Sequence, residues 1–553
     1  MKTITLFCLL VCTGFVSCSD STERQQQLNV VLVSIDSVRR DHLGIYGHRP
    51  RYAPEVAISP NIDALAQEGV VFDDAFTTTS WTLPAHMSLM TGRSDLAHGV
   101  LTDRFHLDPQ HRTLAQEFAA AGYATAGYYS GPYLSGKYGF NAGFENYESG
   151  MISSGDFRNM VIDDNAKRKA QGREPMDEQM IAQLRDRMSH WDITSPKINE
   201  LAEGFIDQSS DDPFFLFVHY FDAHYDHIPQ SINPRLAQLF DPSYSGDFDG
   251  SNWYFDSRVM DLSPPYARHI SERDLNHVIA NYDAEINWVD HHIGKLIEKL
   301  KEKGVWDNTI IMVIADHGDE FFEHGSIGHR STLLAEQVRI PMVLRAPNMP
   351  AAGSRISNLS RIYDVAPTLL DLATNKSLPG AEGESLSADI NGDTIDRSAF
   401  QNIFSGATRR SRSLNIRDGW RNSRFTVLRS FRYDQANSND ELTVVTPLPR
   451  SSTNNSPYLV FDRIRDPRET SPLVPNDPRY AEALKLYTIA FDKHQLYLDK
   501  VKHSATADCL IDSLSAEEDA VLGSLGYATA TIDDANEFDV MAIRLADLPQ
   551  ISD

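Results

Sequence analysis

The strongest constraint on the fold comes from three apolar segments in which polar and apolar residues do not alternate. They cover residues 28–35, 214–220 and 309–315. A strand that faces solvent on one side alternates, whereas a strand covered by helices on both faces is apolar almost throughout. The sequence therefore predicts an α/β fold, with a large, mixed, mostly parallel sheet sandwiched by helices.

Two of these apolar segments end in side chains that commonly bind metal ions. Asp36 follows the first segment, and Asp316 with His317 follows the third. In open α/β sheets, ligands bind beyond the carboxyl ends of the strands, so these three side chains are expected to lie close together. Carboxylate and imidazole ligands allow a divalent cation, Ca²⁺, Mn²⁺, Mg²⁺ or Zn²⁺, and leave open whether one ion or two are bound.

A threonine is expected at the same edge of the sheet. Residues 80–92 read Ser-Trp-Thr-Leu-Pro-Ala-His-Met-Ser-Leu-Met-Thr-Gly, which predicts a loop that turns into a helix. Thr82 is predicted to be the N-cap, and Pro84 fits the first turn because its missing N–H is not needed there. His86 lies four residues after Thr82 and therefore on the same helix face. The Thr82 oxygen is expected to complete the metal site.

A third group of polar side chains follows the second apolar segment. Three histidines and two aspartates fall within residues 219–227, among them Asp222, His224 and His227. A single histidine in such a place is usually structural. This density past the end of a strand makes a metal-binding or acid–base role about as plausible as a structural one.

In combination, these segments resemble the sulfatases and their relatives in the alkaline phosphatase superfamily. The same pattern is found in residues 282–286 (Tyr-Asp-Ala-Glu-Ile), in the pair Gly328-His329 and in residues 461–462 (Phe-Asp). The resemblance covers nearly all of the chain after residue 17. It implies an alkaline-phosphatase-like fold and a metal-dependent hydrolase of anionic esters.

The resemblance also implies roles for individual side chains. Thr82 is expected to be the nucleophile, His224 to protonate the leaving group and His329 to contact the substrate anion. The expected metal ligands are Asp36, Thr82, Asp316 and His317. Four further residues are candidates for a second metal site or for contacts with the substrate: Asp222, His227, His86 and Arg330.

The nucleophile position departs from that of the formylglycine sulfatases. Those enzymes are identified by Cys or Ser followed by x-Pro-x-Arg, and they oxidise this Cys or Ser to formylglycine. Here Thr82 and His86 occupy the two positions. Threonine has a methyl group on its β-carbon, so its oxidation would give a ketone and not an aldehyde. The expected nucleophile is therefore the Thr82 oxygen itself, activated by a metal ion.

The presence of threonine at the nucleophile position decides which candidate function is preferred. Hydrolysis of phosphate mono- or diesters is favoured somewhat over hydrolysis of sulfate esters, because a threonine ester cannot collapse as a formylglycine sulfate does. A sulfatase acting on a sulfated glycan or a small sulfate ester remains an alternative. Two others are a phosphotransferase of the cell envelope and a non-catalytic lipoprotein that binds anionic glycans.

Charge and the N-terminal segment limit the partners and the location. The 51 basic and 77 acidic residues give a net charge of −26, which argues against nucleic acid as a partner. Residues 1–17 resemble a secretion signal, and Phe-Val-Ser-Cys at 15–18 resembles a bacterial lipoprotein box with Cys18 as the lipidated residue. The alternative is a plain signal peptide. We expect an exported periplasmic or outer-membrane lipoprotein that contacts the membrane only through its lipid.

The sequence divides into five predicted parts. A signal peptide (1–17) and a polar tether (18–27) precede a catalytic domain (28–397). A smaller C-terminal α+β subdomain (398–502) and an acidic tail (503–553) follow. The expected partner of the catalytic domain is an anionic ester, either a small molecule or a glycan.

Overall fold

The computed structural model describes most of the chain between residues 27 and 501. The described residues are 27–151, 154–177, 180–181, 194–209, 212–224, 226–229, 233–251, 259–261, 267–349, 352–405, 413–434, 443–447, 456 and 458–501. The predicted signal peptide, Cys18 and the predicted tail lie outside these residues. Among the described helices, none combines the length and the apolar character needed to cross a membrane.

The strands and helices are numbered in chain order. The described strands are β1 (Asn29–Ile35), β2 (Val70–Phe72), β3 (Ala75–Phe76), β4 (Ala124–Tyr129), β5 (Asn146–Ser149), β6 (Phe214–Tyr220), β7 (Met260–Asp261), β8 (Ala267–Arg268), β9 (Thr309–Ala315), β10 (Glu320–Phe321), β11 (Ile327–Gly328), β12 (Arg339–Ile340), β13 (Met342–Arg345), β14 (Ser354–Ile356), β15 (Ser360–Arg361), β16 (Ala399–Ser405), β17 (Ser413–Arg421), β18 (Phe425–Asp434), β19 (Thr443–Pro447) and β20 (Tyr458–Asp462). The described α-helices are α1 (Pro60–Glu68), α2 (Thr82–Thr91), α3 (Asp95–His98), α4 (Leu114–Ala120), α5 (Ser154–Ala170), α6 (Ser195–Gln208), α7 (Pro234–Phe240), α8 (Glu272–Glu302), α9 (Ala335–Val338), α10 (Val365–Thr374), α11 (Ser387–Ile390) and α12 (Pro478–Val501).

The main sheet has eight described strands in the order β14-β2-β13-β9-β1-β6-β4-β5. Strands β9, β1, β6, β4 and β5 run parallel to one another, whereas β13 runs antiparallel to both β9 and β2. Every residue of β1, β6 and β9 is buried, which is why these strands are apolar without alternation. The predicted α/β fold, with a large, mixed, mostly parallel sheet, is confirmed.

Local sequence explains where several helices begin. The Ser271 hydroxyl accepts the backbone N–H of Asp274 and caps the 31-residue helix α8. Thr113 and Gln116 form a reciprocal capping box at the start of α4. Helix α6 packs on β4 and β6, and α10 packs on β1, so the central strands are covered by amphipathic helices.

A second, antiparallel sheet forms the C-terminal part. It has the order β16-β17-β18-β19, and β20 pairs with residues 425–429 of β18, on the same edge of that strand as β19. Helix α12 packs against β18 and β20, and Trp420, Phe425, Tyr487 and Phe491 belong to the shared core. The smaller domain predicted after the catalytic domain is therefore an antiparallel sheet with a helix.

A buried ion pair joins this sheet to the catalytic part. The Arg421 guanidinium donates to Glu469 Oε2 at 2.8 Å and also to the carbonyl of Leu333, in the loop before α9. The two side chains of the pair are 0% and 1% exposed. Removing one member of such a pair leaves a buried charge without its counter-ion, so the contact is predicted to matter for stability.

We expect Glu469→Gln to lower the free energy of unfolding by about 3–5 kcal/mol, because Arg421 would lose its counter-ion in a buried site. The measurement is the urea unfolding curve. The exposed pair Arg424–Glu482, with side chains 38% and 46% exposed, provides the control. Glu482→Gln should change stability by less than about 1 kcal/mol. Equal effects of the two substitutions would contradict the prediction.

Candidate functional site

Parallel pairing of β1 with β9 brings two carboxylates together at the carboxyl edge of the sheet. Ile35 at the end of β1 is in register with Ala315 at the end of β9, so Asp36 and Asp316 follow side by side. Both residues are fully buried. The expectation that the strand ends converge is therefore met for these two side chains.

Each carboxylate has one oxygen fixed by hydrogen bonds and one oxygen without a hydrogen-bond partner among the described residues. Asp316 Oδ1 accepts the backbone N–H groups of Ser37 at 3.0 Å and His317 at 2.8 Å. Asp36 Oδ1 accepts the Ser37 hydroxyl at 2.8 Å. Asp36 Oδ2 and Asp316 Oδ2 are buried and accept no hydrogen bond. A buried carboxylate oxygen without a partner is costly, and a bound cation removes that cost.

His317 presents one ring nitrogen to the same place. Its Nδ1 lies 3.2 Å from the Gly318 carbonyl oxygen, which can only accept, so Nδ1 carries the proton. The unprotonated Nε2 lies 3.4 Å from Asp316 Oδ2 and 3.9 Å from Asp36 Oδ1. Possible ligand atoms of these three residues all lie within 4.8 Å of one another. Two carboxylates and one imidazole in this arrangement fit a divalent cation.

The Thr82 hydroxyl lies beside this group. Thr82 Oγ1 is 3.3 Å from His317 Nε2, and the residue is 2% exposed. The sequence prediction that Thr82 is the N-cap is wrong: α2 begins at Thr82, the N-cap is Trp81, and no side chain caps the helix. Since its oxygen is not used as a cap, Thr82 directs it toward the metal-binding group.

His86 lies behind Thr82, inside the protein. Its Nδ1 donates to the Thr82 carbonyl oxygen at 2.9 Å, and its Nε2 accepts the Ser34 hydroxyl at 2.8 Å. The side chain is fully buried, and burial lowers the pKa of His86 well below its usual value. A neutral imidazole in this position holds the first turn of α2 against β1. It does not face a substrate, so His86 is better described as a positioning residue.

His224 and His329 lie beside the cluster, and both are buried. Their rings are 5.1 Å apart, and the ring of His329 is 4.5 Å from that of His317. His329 Nδ1 is 2.7 Å from Asp319 Oδ1, which fixes the orientation of the imidazole. The Phe221 ring stacks on His224 at 4.4 Å. The structure thus brings both predicted catalytic histidines close to the metal-binding residues.

Arg330 is next to His329 and is held in a defined position. Its backbone has a φ of 62°, in the left-handed region that non-glycine residues seldom adopt. Its guanidinium lies 4.0 Å from the centre of the Trp81 ring, directly before Thr82 in the chain. The side chain is partly exposed, so a cationic group is available near Thr82.

Two predicted candidates have their side chains engaged elsewhere. Asp222 accepts hydrogen bonds from the backbone N–H groups at the start of α6 and from Trp288 Nε1. His227 Nδ1 is 2.7 Å from Glu285 Oε2 on α8. Asp222 is hydrogen-bonded to the start of α6, and His227 is paired with Glu285 of α8. Neither side chain therefore joins the group around Asp36.

The electrostatics of the group favour a bound cation. Burial, and then the neighbouring Asp36 carboxylate, raise the pKa of Asp316 well above its usual value. Burial opposes ionisation of Asp36, but the imidazoles of His224, His219 and His317 outweigh it and lower its pKa. Burial and the His329 ring lower the pKa of His317 to about 4, so His317 is neutral and can act as a ligand.

Sequence reasoning assigned no individual role to three residues that shape the site. Ser37 holds both carboxylates, Asp319 orients His329, and His219 faces Asp36 from β6. A histidine inside an otherwise apolar strand was a usable sign, because an isolated buried imidazole needs a partner. Ser37 and Asp319 gave no such sign, since their contacts depend on how the strand ends turn.

The sequence can be compared with known proteins. The profile of the family described as "Sulfatase" matches residues 28–375. An ulvan-active sulfatase of Formosa agariphila is 24% identical over 485 residues, covering 85% of this chain and 81% of its own. The multifunctional alkaline phosphatase superfamily protein PehA of Trinickia caryophylli is 25% identical over 397 residues, covering 65% of this chain and 76% of its own.

Solved structures show the same fold. One, in complex with its substrate D-glucosamine-2-N,6-O-disulfate, aligns with a TM-score of 0.61 at 18% identity, covering 87% of this chain and 100% of that chain. The phosphonate monoester hydrolase of Agrobacterium radiobacter aligns with a TM-score of 0.58 at 19% identity, covering 88% of this chain and 100% of that chain.

We expect removal of divalent cations to lower the melting temperature, because a cation held by Asp36 and Asp316 binds the folded chain and not the unfolded one. A ligand at 100 times its Kd stabilises a protein by about 2.7 kcal/mol. The measurement is calorimetry with EDTA and with added Mn²⁺, Zn²⁺ or Ca²⁺. Asp36→Asn should abolish the difference, whereas Asp207→Asn, at a surface salt bridge, should retain it. An unchanged melting temperature of the wild type would contradict the prediction.

Proposed function

Because this chain belongs to the sulfatase family, we propose that it is a metal-dependent hydrolase of phosphate or sulfate esters in which Thr82 is the direct nucleophile. The observation that carries the proposal is the position of Thr82 Oγ1, 3.3 Å from His317 Nε2 and free of any capping role. A hydroxyl at the start of a helix, beside ligands for a divalent cation, is well placed to be ionised and to attack an ester.

The ligand residues fit the metal ion that the family uses. Asp36, Asp316 and His317 would hold a divalent cation through the atoms that face one another, and Thr82 would be the fourth ligand. When bound, such a cation lowers the pKa of a coordinated hydroxyl and polarises the non-bridging oxygens of the ester.

The protein residues then divide the reaction into two displacements. The Thr82 hydroxyl loses its proton to solvent and its oxygen attacks the central phosphorus or sulfur atom, so that a covalent threonine ester forms and the bond to the leaving oxygen breaks. His224 protonates that oxygen. Water then attacks the central atom of the threonine ester and releases Thr82 with its hydroxyl restored. His329 and Arg330 offset the negative charge that develops on the transferred group.

The role of His224 as an acid depends on the substrate. Burial lowers the pKa of His224 well below its usual value, so the free protein carries a neutral imidazole. A bound anionic ester raises that pKa again, because an opposite charge nearby favours the protonated form. Protonation of His224 is therefore coupled to substrate binding.

Phosphate mono- and diesters are the favoured substrates. A sulfate ester of formylglycine leaves by collapse of a hydrated aldehyde, whereas a threonine ester must be cleaved by water at the central atom. Sulfate esters are the second candidate, since the named relatives include an ulvan-active sulfatase and a structure bound to a disulfated glucosamine. Transfer to an alcohol in place of water, as in an envelope phosphotransferase, would use the same covalent threonine ester.

The location proposed for this activity is the cell envelope. We propose that residues 1–17 direct export and that Cys18 is lipidated, on the basis of the Phe-Val-Ser-Cys sequence at 15–18. The lipid would then be the protein's contact with the membrane.

We expect Cys18→Ala to release the protein from the membrane fraction into the soluble envelope fraction, because the thiol that accepts the lipid is lost. Radiolabelled palmitate incorporated by the bacterium should label the wild type and not the variant. Cys509→Ala is the matched control and should keep the label. An unlabelled but correctly exported wild type would indicate a plain signal peptide.

We expect Thr82→Ala to lower kcat/KM by at least about 1,000-fold on 4-nitrophenyl phosphate and 4-nitrophenyl sulfate, because the attacking oxygen is removed. Thr82→Ser should keep most of the activity. Thr91→Ala, at the other end of α2, is the control and should stay near the wild type.

The two substrates differ only in the central atom, so their ratio decides the order of preference. Faster turnover of the sulfate by the wild type would reverse the proposed order. Activity of Thr82→Ala close to the wild type would reject Thr82 as the nucleophile. Absence of turnover together with retained binding of an anionic glycan would favour the non-catalytic alternative.

A further inference from the structure

A tyrosine of helix α8 contacts the turn that follows β1, outside the group of candidate metal ligands. Tyr282 is fully buried. Its ring lies 5.0 Å from the ring of His42, 5.0 Å from that of His227 and 5.2 Å from that of Phe321. A side chain packed among three rings has little freedom to move, so the position of the Tyr282 hydroxyl is fixed by the core.

The Tyr282 hydroxyl makes two hydrogen bonds to the backbone of this turn. It donates to the carbonyl oxygen of Ser37 at 2.7 Å and accepts the backbone N–H of Arg39 at 2.8 Å. Burial raises the pKa of Tyr282 well above its usual value, so the hydroxyl keeps the proton that it donates. One phenol oxygen therefore joins the two ends of the turn formed by residues 37–39.

Ser37 is the residue of this turn that contacts both carboxylates. Its N–H donates to Asp316 Oδ1 at 3.0 Å, and its hydroxyl donates to Asp36 Oδ1 at 2.8 Å. Its φ is 56°, in the left-handed region that is unfavourable for a residue with a β-carbon. Such a conformation persists only where surrounding contacts hold it. On the carbonyl side of Ser37, that contact is the hydroxyl of Tyr282.

We propose that Tyr282 is a positioning residue of the metal site: its hydroxyl holds Ser37 in the left-handed conformation, and Ser37 in turn directs the two carboxylates toward a shared divalent cation. Without this hydroxyl the turn can relax, and the N–H and the hydroxyl of Ser37 then lose their alignment with Asp316 and Asp36. The ligands remain in the chain, but they are less well oriented. This inference rests on the cation site of the proposed function, but it does not require Thr82 to be the nucleophile.

A second tyrosine provides a matched control. The Tyr46 hydroxyl donates to the carbonyl oxygen of Phe72 at 3.0 Å and accepts the backbone N–H of Met342 at 3.2 Å. Like Tyr282, it therefore joins two backbone groups through one phenol oxygen. Its partners lie in β2 and β13, and neither strand carries a candidate metal ligand.

The test is the affinity for Mn²⁺, measured by electron paramagnetic resonance, which distinguishes the free ion from the bound ion. Tyr282→Phe keeps the ring and removes only the hydroxyl. We expect its Kd for Mn²⁺ to rise by about 10- to 100-fold, the usual effect of removing a group that orients a metal ligand. The spectrum of the bound ion should also change, because the carboxylates are oriented differently. Tyr46→Phe should keep the affinity and the spectrum of the wild type.

Two results would overturn the proposal. One is wild-type Mn²⁺ affinity in Tyr282→Phe. The other is an equal loss of affinity in Tyr282→Phe and Tyr46→Phe, which would indicate a general loosening of the fold. Urea unfolding in EDTA measures the stability of each variant separately from cation binding.

A second substitution covers the case in which Tyr282→Phe does not fold. 4-Fluorophenylalanine in place of Tyr282 fills the space of the hydroxyl but cannot donate a hydrogen bond to Ser37. The same loss of Mn²⁺ affinity is expected. Wild-type affinity of this protein would overturn the proposal.

These outcomes are distinguishable from failure of the proposed function. A wild-type protein that binds neither Mn²⁺ nor Zn²⁺ nor Ca²⁺ would reject the cation site, and this inference with it. If Tyr282→Phe weakens Mn²⁺ binding while Thr82→Ala keeps its activity, the nucleophile is wrong and the positioning role is right. If Thr82→Ala is inactive while Tyr282→Phe binds Mn²⁺ as the wild type does, the reverse holds.

Discussion

Two carboxylates buried side by side are the constraint on which the site depends. Parallel pairing of β1 with β9 places Asp36 next to Asp316, and both side chains are buried. Hydrogen bonds from Ser37 and from the backbone fix one oxygen of each and direct the other oxygen inward. Such a pair is relieved either by a proton on Asp316, whose pKa is raised, or by a bound cation, so the sheet itself creates a candidate cation site.

The helix that carries Thr82 is fixed to the sheet by polar contacts in an apolar setting. His86 links the first turn of α2 to Ser34 of β1. The hydroxyl groups of Ser88 in α2 and of Thr78, which precedes the helix, are hydrogen-bonded to each other. All ten residues of α2 are buried, so the helix cannot shift without disturbing the core. This rigidity explains how a short threonine side chain is kept close to the candidate metal ligands, where a mobile loop would place it less well.

Much of the fold was predictable, because the central strands are continuous apolar segments that are easily recognised in the sequence. The apolar segments predicted as buried strands at 28–35, 214–220 and 309–315 match β1, β6 and β9. The cap of α2 was predicted incorrectly. Thr82 has the right chemistry for an N-cap, but the chain turns one residue earlier, at Trp81, and the hydroxyl faces His317.

Parts of the candidate site were not predictable, because they depend on which partner a side chain reaches. Judged by the density of polar residues at 219–227, Asp222, His224 and His227 were equally good candidates for a metal-binding or acid–base role. In the structure Asp222 caps α6 and His227 pairs with Glu285, while His224 remains beside His329. His219 looked like a strand residue and proved to face Asp36.

The sequence by itself determined that buried parallel strands end in Asp36, Asp316 and His317, because the hydrophobicity of a segment and the chemistry of its residues are local properties of the chain. The tertiary structure alone decided which oxygen of each carboxylate is free, which nitrogen of each histidine is unprotonated and which polar groups pair with one another. Those choices depend on distances of a few ångströms between segments far apart in the chain. Only the packed core fixes such distances.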